Sequence, residues 1–433
     1  MMTSLRILCA MLVFLGATVC RLQAWSDPHV AITHAAIRVL PSEQRAFLGD
    51  EQKALGDRYC LIPDHVFSDP VNAKFAMMES RPGERYLTIL HLPTTPPEYE
   101  DVLRYFVGKA VDAFGEGRVS DGARFSGTIC HLIEDYCSPS HVMPGDNMLT
   151  LLRQFLPPAE HNKHRLMHGP VEGGTFALSI EGYAPRLLGV SVSEIAWRLV
   201  HRIHEGIVNA RGTTVPILRA LDSGDQQEVV RHQTRAAEMD ARIVADALYS
   251  MLALASGQIL DAQREKIEET ALGRFFPLEA PALYYPQKQF FGSPHWGHPT
   301  HGYLLRDGEH EEPLRLKIRE EAGKEQVRIF PQGISTGGRS SLTYTLPEGV
   351  FRQFQVFVGL QAALGDDGEA EFSVEGDGRA LASVTVRGEQ GGMRIRCDIT
   401  GVRQLRLVTH GRSSNAKQNY TVWGDPVLSK LAH

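Results

Sequence analysis

The sequence predicts a multidomain chain in which an all-α domain precedes an all-β, jelly-roll-like sandwich. Apolar residues recur at helical spacing from residue 25 to about residue 275. After a segment punctuated by prolines they alternate with a period of two. A length of 433 residues suits two to three domains. We therefore predict a helical domain over 25–275, a linker over 276–320 and a sandwich over 321–433.

Amphipathic periodicity marks five main helices in the first region. The first ends at Pro41, and the dipeptide Ser138-Pro139 ends the third, because proline cannot continue a helix. The predicted helices cover residues 29–40, 98–114, 123–136, 193–210 and 226–260.

Short alternating segments mark the strands of the second region. Turn signals such as Gly365-Asp-Asp-Gly368 separate them, and short strands at this spacing are typical of a β-sandwich. The glycine-rich stretch 333–338 is predicted to be a turn between strands. The predicted strands cover residues 327–330, 341–346, 354–358, 370–374, 382–386, 393–399, 405–408 and 420–423.

The first 24 residues have the features of a secretory signal peptide. Arg6 precedes an apolar run over 7–19, and a polar stretch then ends at Ala24. The run is too short to span a bilayer, and no other segment of the sequence has the pattern of a transmembrane helix. Cleavage after Ala24 would leave Trp25 with a free α-amino group, which is a potential metal ligand. We therefore expect a secreted or periplasmic protein.

The charge balance argues against a strong non-specific polyanion binder, which would be basic. The formal charge is −6, and removing Arg6 and Arg21 with the signal would make it −8. A metal-dependent phosphodiesterase remains compatible, because bound cations do not enter a sequence count. The sequence contains no C-x-x-C pattern, so a thiolate metal site is not expected. Cys60 could pair with Cys130 or Cys137, or all could be buried thiols.

A metal-site pattern runs from His131 to Glu172. His131-x-x-x-Asp135 and His168-x-x-x-Glu172 are His–acid pairs at a spacing that places both members on one face of a helix. His141 lies between the pairs. Imidazole and carboxylate are the ligands that zinc takes outside cysteine sites. The occurrence of both pairs and His141 within 42 residues predicts a metal centre. Glu134 and Asp146 are expected to be ordinary surface acids.

Four residues nearer the N-terminus complete the candidate set: Trp25, His29, Asp64 and His91. Three carboxylates in one cleft would repel one another unless cations neutralised them. Three zinc ions would leave a net positive cluster, which suits a phosphodiester anion and a hydroxide.

These residues resemble the zinc-dependent phospholipase C family, which shares its fold with the fungal single-strand nucleases. That family has an N-terminal Trp, a His leading into a helix, an Asp and a further His. The motifs His-x-x-x-Asp-x-x-x-x-x-His and His-x-x-x-Glu/Asp follow, and residues 131–141 and 168–172 match them without a gap. The resemblance extends from residue 25 to about residue 260. It implies phospholipase C-type cleavage of phospholipids, with a nuclease or 3′-nucleotidase acting on single-stranded nucleic acid as the alternative.

The same resemblance implies three zinc ions. The ligands would divide into three groups: Asp64, His91 and His131 for one ion, Trp25 and His29 for a second, and His141, His168 and Glu172 for the third. Asp135 would bridge the first two ions. Asp64 would orient or deprotonate the attacking water, so Asp64 and Asp135 are expected to be catalytic.

Two of these assignments have nearby rivals. His34 competes with His29, but His29-Val-Ala-Ile resembles the family's His-x-x-Ile helix start more closely, which leaves His34 as a partly exposed helix residue. Asp57 competes with Asp64, but Tyr59-Cys-Leu-Ile-Pro-Asp64 resembles the family's segment better.

His91 also has a rival. It follows Asp64 by 27 positions, whereas His65 opens the segment His65-Val-Phe-Ser-Asp-Pro, which resembles a family His-aromatic-Asp-Pro stretch. His91 is preferred, because the adjacent residues Asp64 and His65 would rarely converge on one metal ion.

The C-terminal region resembles the carbohydrate-binding modules known as NPCBM. Phe330-Pro-Gln-Gly-Ile-Ser-Thr-Gly-Gly338 opens the likeness, and Asn419-Tyr-Thr-Val-Trp423 lies near its end. This resemblance implies a carbohydrate or cell-surface ligand for the sandwich. A non-catalytic carbohydrate- or surface-binding protein is therefore the non-enzymatic alternative.

Overall fold

The computed structural model describes residues 26–78, 96–142, 170–171, 177–275, 300–306, 310–319, 325–413 and 420–431. The predicted signal peptide and part of the predicted linker lie outside these residues. The chain divides into two compact units. The first comprises Met1–Thr94, Asp112–Pro185 and Glu205–Leu248, and the second comprises Thr95–Val111, Arg186–His204 and Tyr249–His433.

Helices occupy the N-terminal part of the described chain and strands the C-terminal part, which confirms the predicted fold class. The α-helices are α1 (Ser26–Arg38), α2 (Ser42–Leu48), α3 (Glu51–Asp57), α4 (Pro70–Ala73), α5 (Pro96–Gly115), α6 (Val119–Tyr136), α7 (Val192–Ser223), α8 (Gln226–Ser256) and α9 (Asp261–Glu265). Short 3₁₀ helices at Tyr59–Leu61 and Pro63–His65 follow α3. None of these described helices is long and apolar enough to cross a bilayer.

Helix α6 lies in the interior of the first unit. Every residue from Ser126 to Tyr136 is buried, including three that can carry a charge. A helix that is buried on all sides has no water to solvate its polar side chains, so those groups must find partners inside the protein. The partners of His131, Glu134 and Asp135 form the candidate site.

The strands form two larger antiparallel sheets and two hairpins. They are β1 (Glu269–Ala271), β2 (Thr300–His301), β3 (Tyr303–Arg306), β4 (His310–Pro313), β5 (Arg315–Arg319), β6 (Glu325–Ile329), β7 (Ile334–Thr336), β8 (Arg339–Thr345), β9 (Gln353–Leu360), β10 (Glu369–Gly376), β11 (Arg379–Arg387), β12 (Met393–Asp398), β13 (Gln404–Gly411) and β14 (Thr421–Ser429). A six-stranded sheet has the order β12-β9-β14-β7-β2, with β1 also paired to β14. A four-stranded sheet has the order β11-β10-β13-β8, and β3-β4 and β5-β6 are hairpins.

The facing sides of the two larger sheets enclose the sandwich core. Strand β10 alternates strictly between buried and half-buried residues, as expected for a strand with one face in a core. Phe372 of β10 meets Trp423 of β14 edge to face at 5.2 Å. Trp197 of α7 belongs to the same apolar cluster and donates a hydrogen bond from its indole nitrogen to the Thr345 carbonyl at 2.7 Å.

All eight predicted strands overlap observed strands, and six further short strands were not predicted. The predicted turn over 333–338 was partly wrong, because Ile334–Thr336 is a buried strand paired to β2 and β14. Strand β1 lies within the region predicted to be helical and pairs with β14. Both segments are three residues long, which is too short for a period of two to be visible. None of the described cysteines forms a disulfide bond.

Candidate metal centre

Two helices and the loop between α3 and α4 bring the candidate ligands together. Helix α6 presents His131, Glu134 and Asp135, which share one face because they lie three and four positions apart. Helix α1 brings His29, whose ring stacks on that of His131 with centroids 4.3 Å apart. The 3₁₀ helix Pro63–His65 carries Asp64.

A backbone carbonyl sets the orientation of His131. Its Nδ1 lies 2.8 Å from the Cys60 carbonyl oxygen, which can only accept, so Nδ1 carries the proton. Nε2 then faces two carboxylates, Asp135 Oδ2 at 3.3 Å and Asp64 Oδ1 at 3.6 Å. A carbonyl behind one ring nitrogen is the usual way in which a protein directs the other nitrogen of a histidine toward a metal ion.

Glu134 plays the corresponding part for His29. Its Oε2 lies 2.6 Å from His29 Nδ1, and its Oε1 accepts a hydrogen bond from the Thr33 hydroxyl at 2.6 Å. His29 Nε2 therefore faces Asp135 Oδ1, at 3.5 Å. The prediction that Glu134 is a surface acid was wrong, because the residue is fully buried. Its spacing of three from His131 was the signal that could have identified it.

The spacings between His29, His131 and the two carboxylates of Asp64 and Asp135 suit metal ligation better than hydrogen bonding. Two ligand atoms of one tetrahedral zinc, each about 2.0–2.2 Å from the ion, lie about 3.4 Å apart. The three separations of 3.3, 3.5 and 3.6 Å lie close to this value and exceed the usual hydrogen-bond range. The ligand atoms of His29, Asp64 and His131 all lie within 4.8 Å of one another.

His141 approaches the same carboxylate from the turn after α6. Its Nε2 lies 3.9 Å from Asp135 Oδ1. Two side chains of α7 hold this turn, because the Thr214 hydroxyl donates to the Pro139 carbonyl at 3.0 Å and Arg211 donates to the Val142 carbonyl at 2.9 Å. The structure thus brings His29, His131 and His141 around Asp135.

Burial and crowding perturb the ionisation of this cluster. Burial opposes a charge on His131, but the carboxylates of Asp135 and Asp64 outweigh it and raise the pKa of the imidazole to about 10. Burial raises the pKa of Glu134 to about 8, although the hydrogen bond from Thr33 acts in the opposite direction. In the absence of a cation the cluster therefore retains extra protons, which a divalent ion would displace.

The rivals of His29 and Asp64 lie elsewhere. His34 Nε2 pairs with Asp57 Oδ1 at 2.6 Å, and both side chains are about one-third exposed. Lys53 forms a second ion pair with Asp57. His65 is exposed on the loop beside Asp64. Trp25, His91, His168, Glu172 and Asp146 lie outside the described residues, so their predicted positions remain predictions.

Close packing of α6 against the loop that carries Asp64 leads to a first prediction. A Cβ at Gly127 would lie 2.4 Å from the backbone carbonyl of Tyr59, which has no flexible end to move. Gly127→Ala should therefore lower the free energy of unfolding by about 1–3 kcal/mol, as overpacking does. Urea unfolding of the variant and the wild type measures the difference.

Gly212→Ala is the matched control, since Gly212 lies on the exposed side of α7 and a Cβ there would meet no atom within 4 Å. It should leave stability unchanged or raise it by roughly 1 kcal/mol. Equal stability of Gly127→Ala and the wild type would contradict the close contact.

The buried acid Asp240 of α8 leads to a second prediction. Burial, with a smaller effect from Glu134, raises its pKa well above the ordinary value, and neither carboxyl oxygen has a hydrogen-bonding partner among the described residues. A raised folded-state pKa means that the folded state binds the proton more tightly than the unfolded state. The stability contributed by this group is therefore complete below about pH 4 and is lost as the pH rises.

Asp240→Asn should make the free energy of unfolding fall less steeply with rising pH, by up to about 1.4 kcal/mol per pH unit. Urea unfolding from about pH 4.5 to about pH 8 measures the slope. Asp112→Asn, on an exposed position of α5, is the control and should keep the wild-type slope. Parallel stability curves for Asp240→Asn and the wild type would show that Asp240 ionises normally.

Comparison with known families identifies the C-terminal region. Residues 295–429 match the model of the NPCBM/NEW2 domain family. This confirms the resemblance expected for that part of the chain. No curated protein sequence matches the chain.

Solved structures show further similarities. The CBM51-2 and INT domains of Clostridium perfringens ZmpB are 21% identical at a TM-score of 0.30, covering 38% of this chain and 32% of that one. This chain thus spans about a third of that structure's length. CBM51 of C. perfringens GH95, in complex with methyl-galactose, is 19% identical with a TM-score of 0.30, and the match covers 37% of this chain and 99% of that one.

C. perfringens alpha-toxin from avian strain SWCP is 11% identical with a TM-score of 0.32, and the match covers 94% of this chain and 93% of that one.

Proposed function

We propose that this chain is an exported zinc-dependent phosphodiester hydrolase that cleaves phospholipids in the manner of a phospholipase C. The observation that carries the proposal is the convergence of three imidazoles on the buried carboxylate of Asp135, at 3.3–3.9 Å, with Asp64 lying 3.6 Å from the same nitrogen of His131. A purely structural cluster would be expected to close these gaps to hydrogen-bond length, since unpaired buried charge is costly.

Asp135 would be the ligand shared by two of the proposed zinc sites. Its Oδ2 faces His131 and its Oδ1 faces His29 and His141, so its two oxygens address different imidazoles. In the proposed arrangement, Asp64 and His131 contribute to one zinc site and His29 to a second. Trp25 and His91 would complete these two sites.

The third zinc site would combine His141 with His168 and Glu172, as the family resemblance implies. Imidazole and carboxylate groups are suitable ligands for all three ions. The whole arrangement would therefore hold three zinc ions per chain.

The protein residues divide the work at this site. Bound zinc would supply Lewis acidity toward a phosphoryl oxygen. Asp64 is the more accessible acid, with 26% of its side chain exposed against 6% for Asp135, so it is placed to orient a water or take its proton. Glu134 and the Cys60 carbonyl hold the rings of His29 and His131 in the orientation that ligation requires.

A phospholipid is the preferred substrate class, with single-stranded nucleic acid as the alternative. The formal charge of −6 gives the chain no general attraction for a polyanion. The sandwich, which matches the NPCBM/NEW2 family, would bind a carbohydrate or cell-surface ligand and keep the hydrolase near its target. The signal pattern at residues 1–24 would direct export.

The first experiment counts zinc per chain by elemental mass spectrometry on exported protein whose N-terminus has been sequenced. About three zinc ions and a start at Trp25 would support the complete ligand set. Hydrolysis of phosphatidylcholine and of single-stranded DNA is then compared on the same sample. Cleavage of DNA alone would favour the nuclease, and one zinc or none after repletion would leave the chain as a non-catalytic surface-binding protein.

A further inference from the structure

A cavity of about 480 Å³ opens on the β-sandwich, away from its core. Its floor is the face of the six-stranded sheet that carries Gln355 and Phe357, whose neighbours Phe354, Val356 and Val358 point into the core. The volume lies within the range of small-ligand sites. The lining side chains that can form hydrogen bonds are Arg328, Gln332, Gln355, Arg394 and Asp425.

Two guanidinium groups are held in place within this cavity. Arg328 lies 5.0 Å from the centre of the Phe357 ring and pairs with Asp425 Oδ2 at 2.7 Å. Arg394 lies 5.7 Å from the same ring and donates to Gln355 Oε1 at 2.5 Å. Each of these polar contacts uses one of the five N–H donors that a guanidinium carries, so donors remain for a ligand. Ordered guanidinium planes are well suited to binding a carboxylate or sulfate through two parallel hydrogen bonds.

The backbone around Asp425 is also unusual. Asp425 has a φ of 44°, in the left-handed region, at an irregularity in the pairing of β14 with β9 between Gly424 and Val427. Such bulges redirect a side chain, and strained backbone is concentrated at functional sites. Here the bulge places a carboxylate among the cationic groups, where it can accept hydrogen bonds from hydroxyl groups.

The charges favour an anion and the other groups favour a polyhydroxylated one. Arg396 lies opposite Gln355 in the register of β12 and β9 and adds a third cation on this face. Asp425 is the only acidic residue among those that line the cavity, so the lining is cationic overall. The amides of Gln332 and Gln355 can both donate and accept, as sugar hydroxyls require. An anionic membrane surface needs no such acceptors and no concave site, so a carbohydrate fits the cavity better than a lipid surface.

We propose that this cavity, formed by Arg328, Arg394, Gln355 and Asp425, binds an acidic carbohydrate through its carboxylate or sulfate group. This inference rests on the proposal that the sandwich binds a carbohydrate, and it specifies the class of carbohydrate. Binding at this cavity would direct the hydrolase to surfaces rich in uronate or sulfated sugars.

The test is isothermal titration calorimetry of the full chain at about 0.15 M salt, so that weak long-range attraction is screened. The glycan probes are oligogalacturonate, a sulfated galactan and the same galactan without sulfate, and phosphatidylglycerol vesicles are the lipid control. Binding of either acidic probe in preference to the neutral one is expected. The stronger of the two acidic probes identifies carboxylate or sulfate as the recognised group.

Arg394→Gln should weaken binding of the acidic probe by about tenfold or more, since a hydrogen bond to a charged group is lost. The control is Arg387→Gln, which removes an equal charge from an exposed arginine of the four-stranded sheet and should change binding less than about twofold. Thermal unfolding curves of both variants that match the wild-type curve would exclude a folding defect.

Four results would overturn the inference. Equal binding of acidic and neutral galactan would leave a carbohydrate-binding sandwich without the acidic preference. Binding to phosphatidylglycerol vesicles but to no glycan, or binding to none of the probes, would remove both the inference and the carbohydrate proposal on which it rests. Equal weakening by Arg387→Gln would show general charge attraction in place of a site.

Discussion

Asp135→Asn is expected to lose more than one zinc ion per chain and to reduce phosphodiester hydrolysis by at least about a hundredfold. The amide keeps the shape of the carboxylate but removes the negative charge. It also puts an N–H₂ donor where one of the oxygens facing His29, His131 and His141 now lies. Elemental mass spectrometry and hydrolysis of phosphatidylcholine measure the two effects on the same preparation.

Asp57→Asn is the matched control for this substitution. Asp57 lies in the same unit, carries the same charge and pairs with His34 and Lys53 away from the cluster. It should keep the wild-type zinc content and activity. Full zinc occupancy in Asp135→Asn would refute the bridging role, and loss of exactly one ion would indicate a terminal ligand in place of a bridge.

Glu134→Gln should weaken zinc binding by about 10–100-fold, because Glu134 orients a proposed ligand without touching the metal. A glutamine has one accepting oxygen in place of two and carries no negative charge, so the Thr33 hydroxyl must reverse its role for His29 Nδ1 to keep an acceptor. The neutral amide would also hold the ring of His29 toward Asp135 less strongly than a carboxylate does. Competition with a zinc chelator of known affinity measures the change.

Added zinc should distinguish this positioning role from a catalytic one. The activity of Glu134→Gln should recover at saturating zinc, whereas that of Asp135→Asn should not. Glu116→Gln is the control, because Glu116 is an exposed acid paired with Arg118 in the same unit. Failure of saturating zinc to restore Glu134→Gln, with an unchanged unfolding transition, would place Glu134 in the chemistry itself.

The described fold was predictable where an element was long enough to show its period. Helix α6 carries apolar residues at helical spacing, and strands such as β10 alternate because one of their faces lies in a core. Helix α7 was expected to end near residue 210, yet it continues through Pro216 to Ser223. Strands β1 and β7 have only three residues each, and their pairing to β14 depends on partners distant in the sequence.

Some residues of the candidate site were likewise predictable from the sequence, and others were not. His131 and Asp135 could be paired from the sequence because a helix places residues four apart on one face. Glu134 was misjudged because acidic residues are usually exposed, and its burial becomes apparent only when α1 packs against α6 and brings Thr33 and His29 to it.

The sequence alone therefore determined the division into a helical and a β-rich part, and which residue types were available as ligands. The tertiary structure decided which of them converge, which nitrogen of each imidazole faces the carboxylates, and which acid supports the site from behind. Period and spacing are local properties of a chain. The hydrogen bond from His131 to the Cys60 carbonyl and the approach of Tyr59 to Gly127 join segments about 70 residues apart, and only packing brings them together.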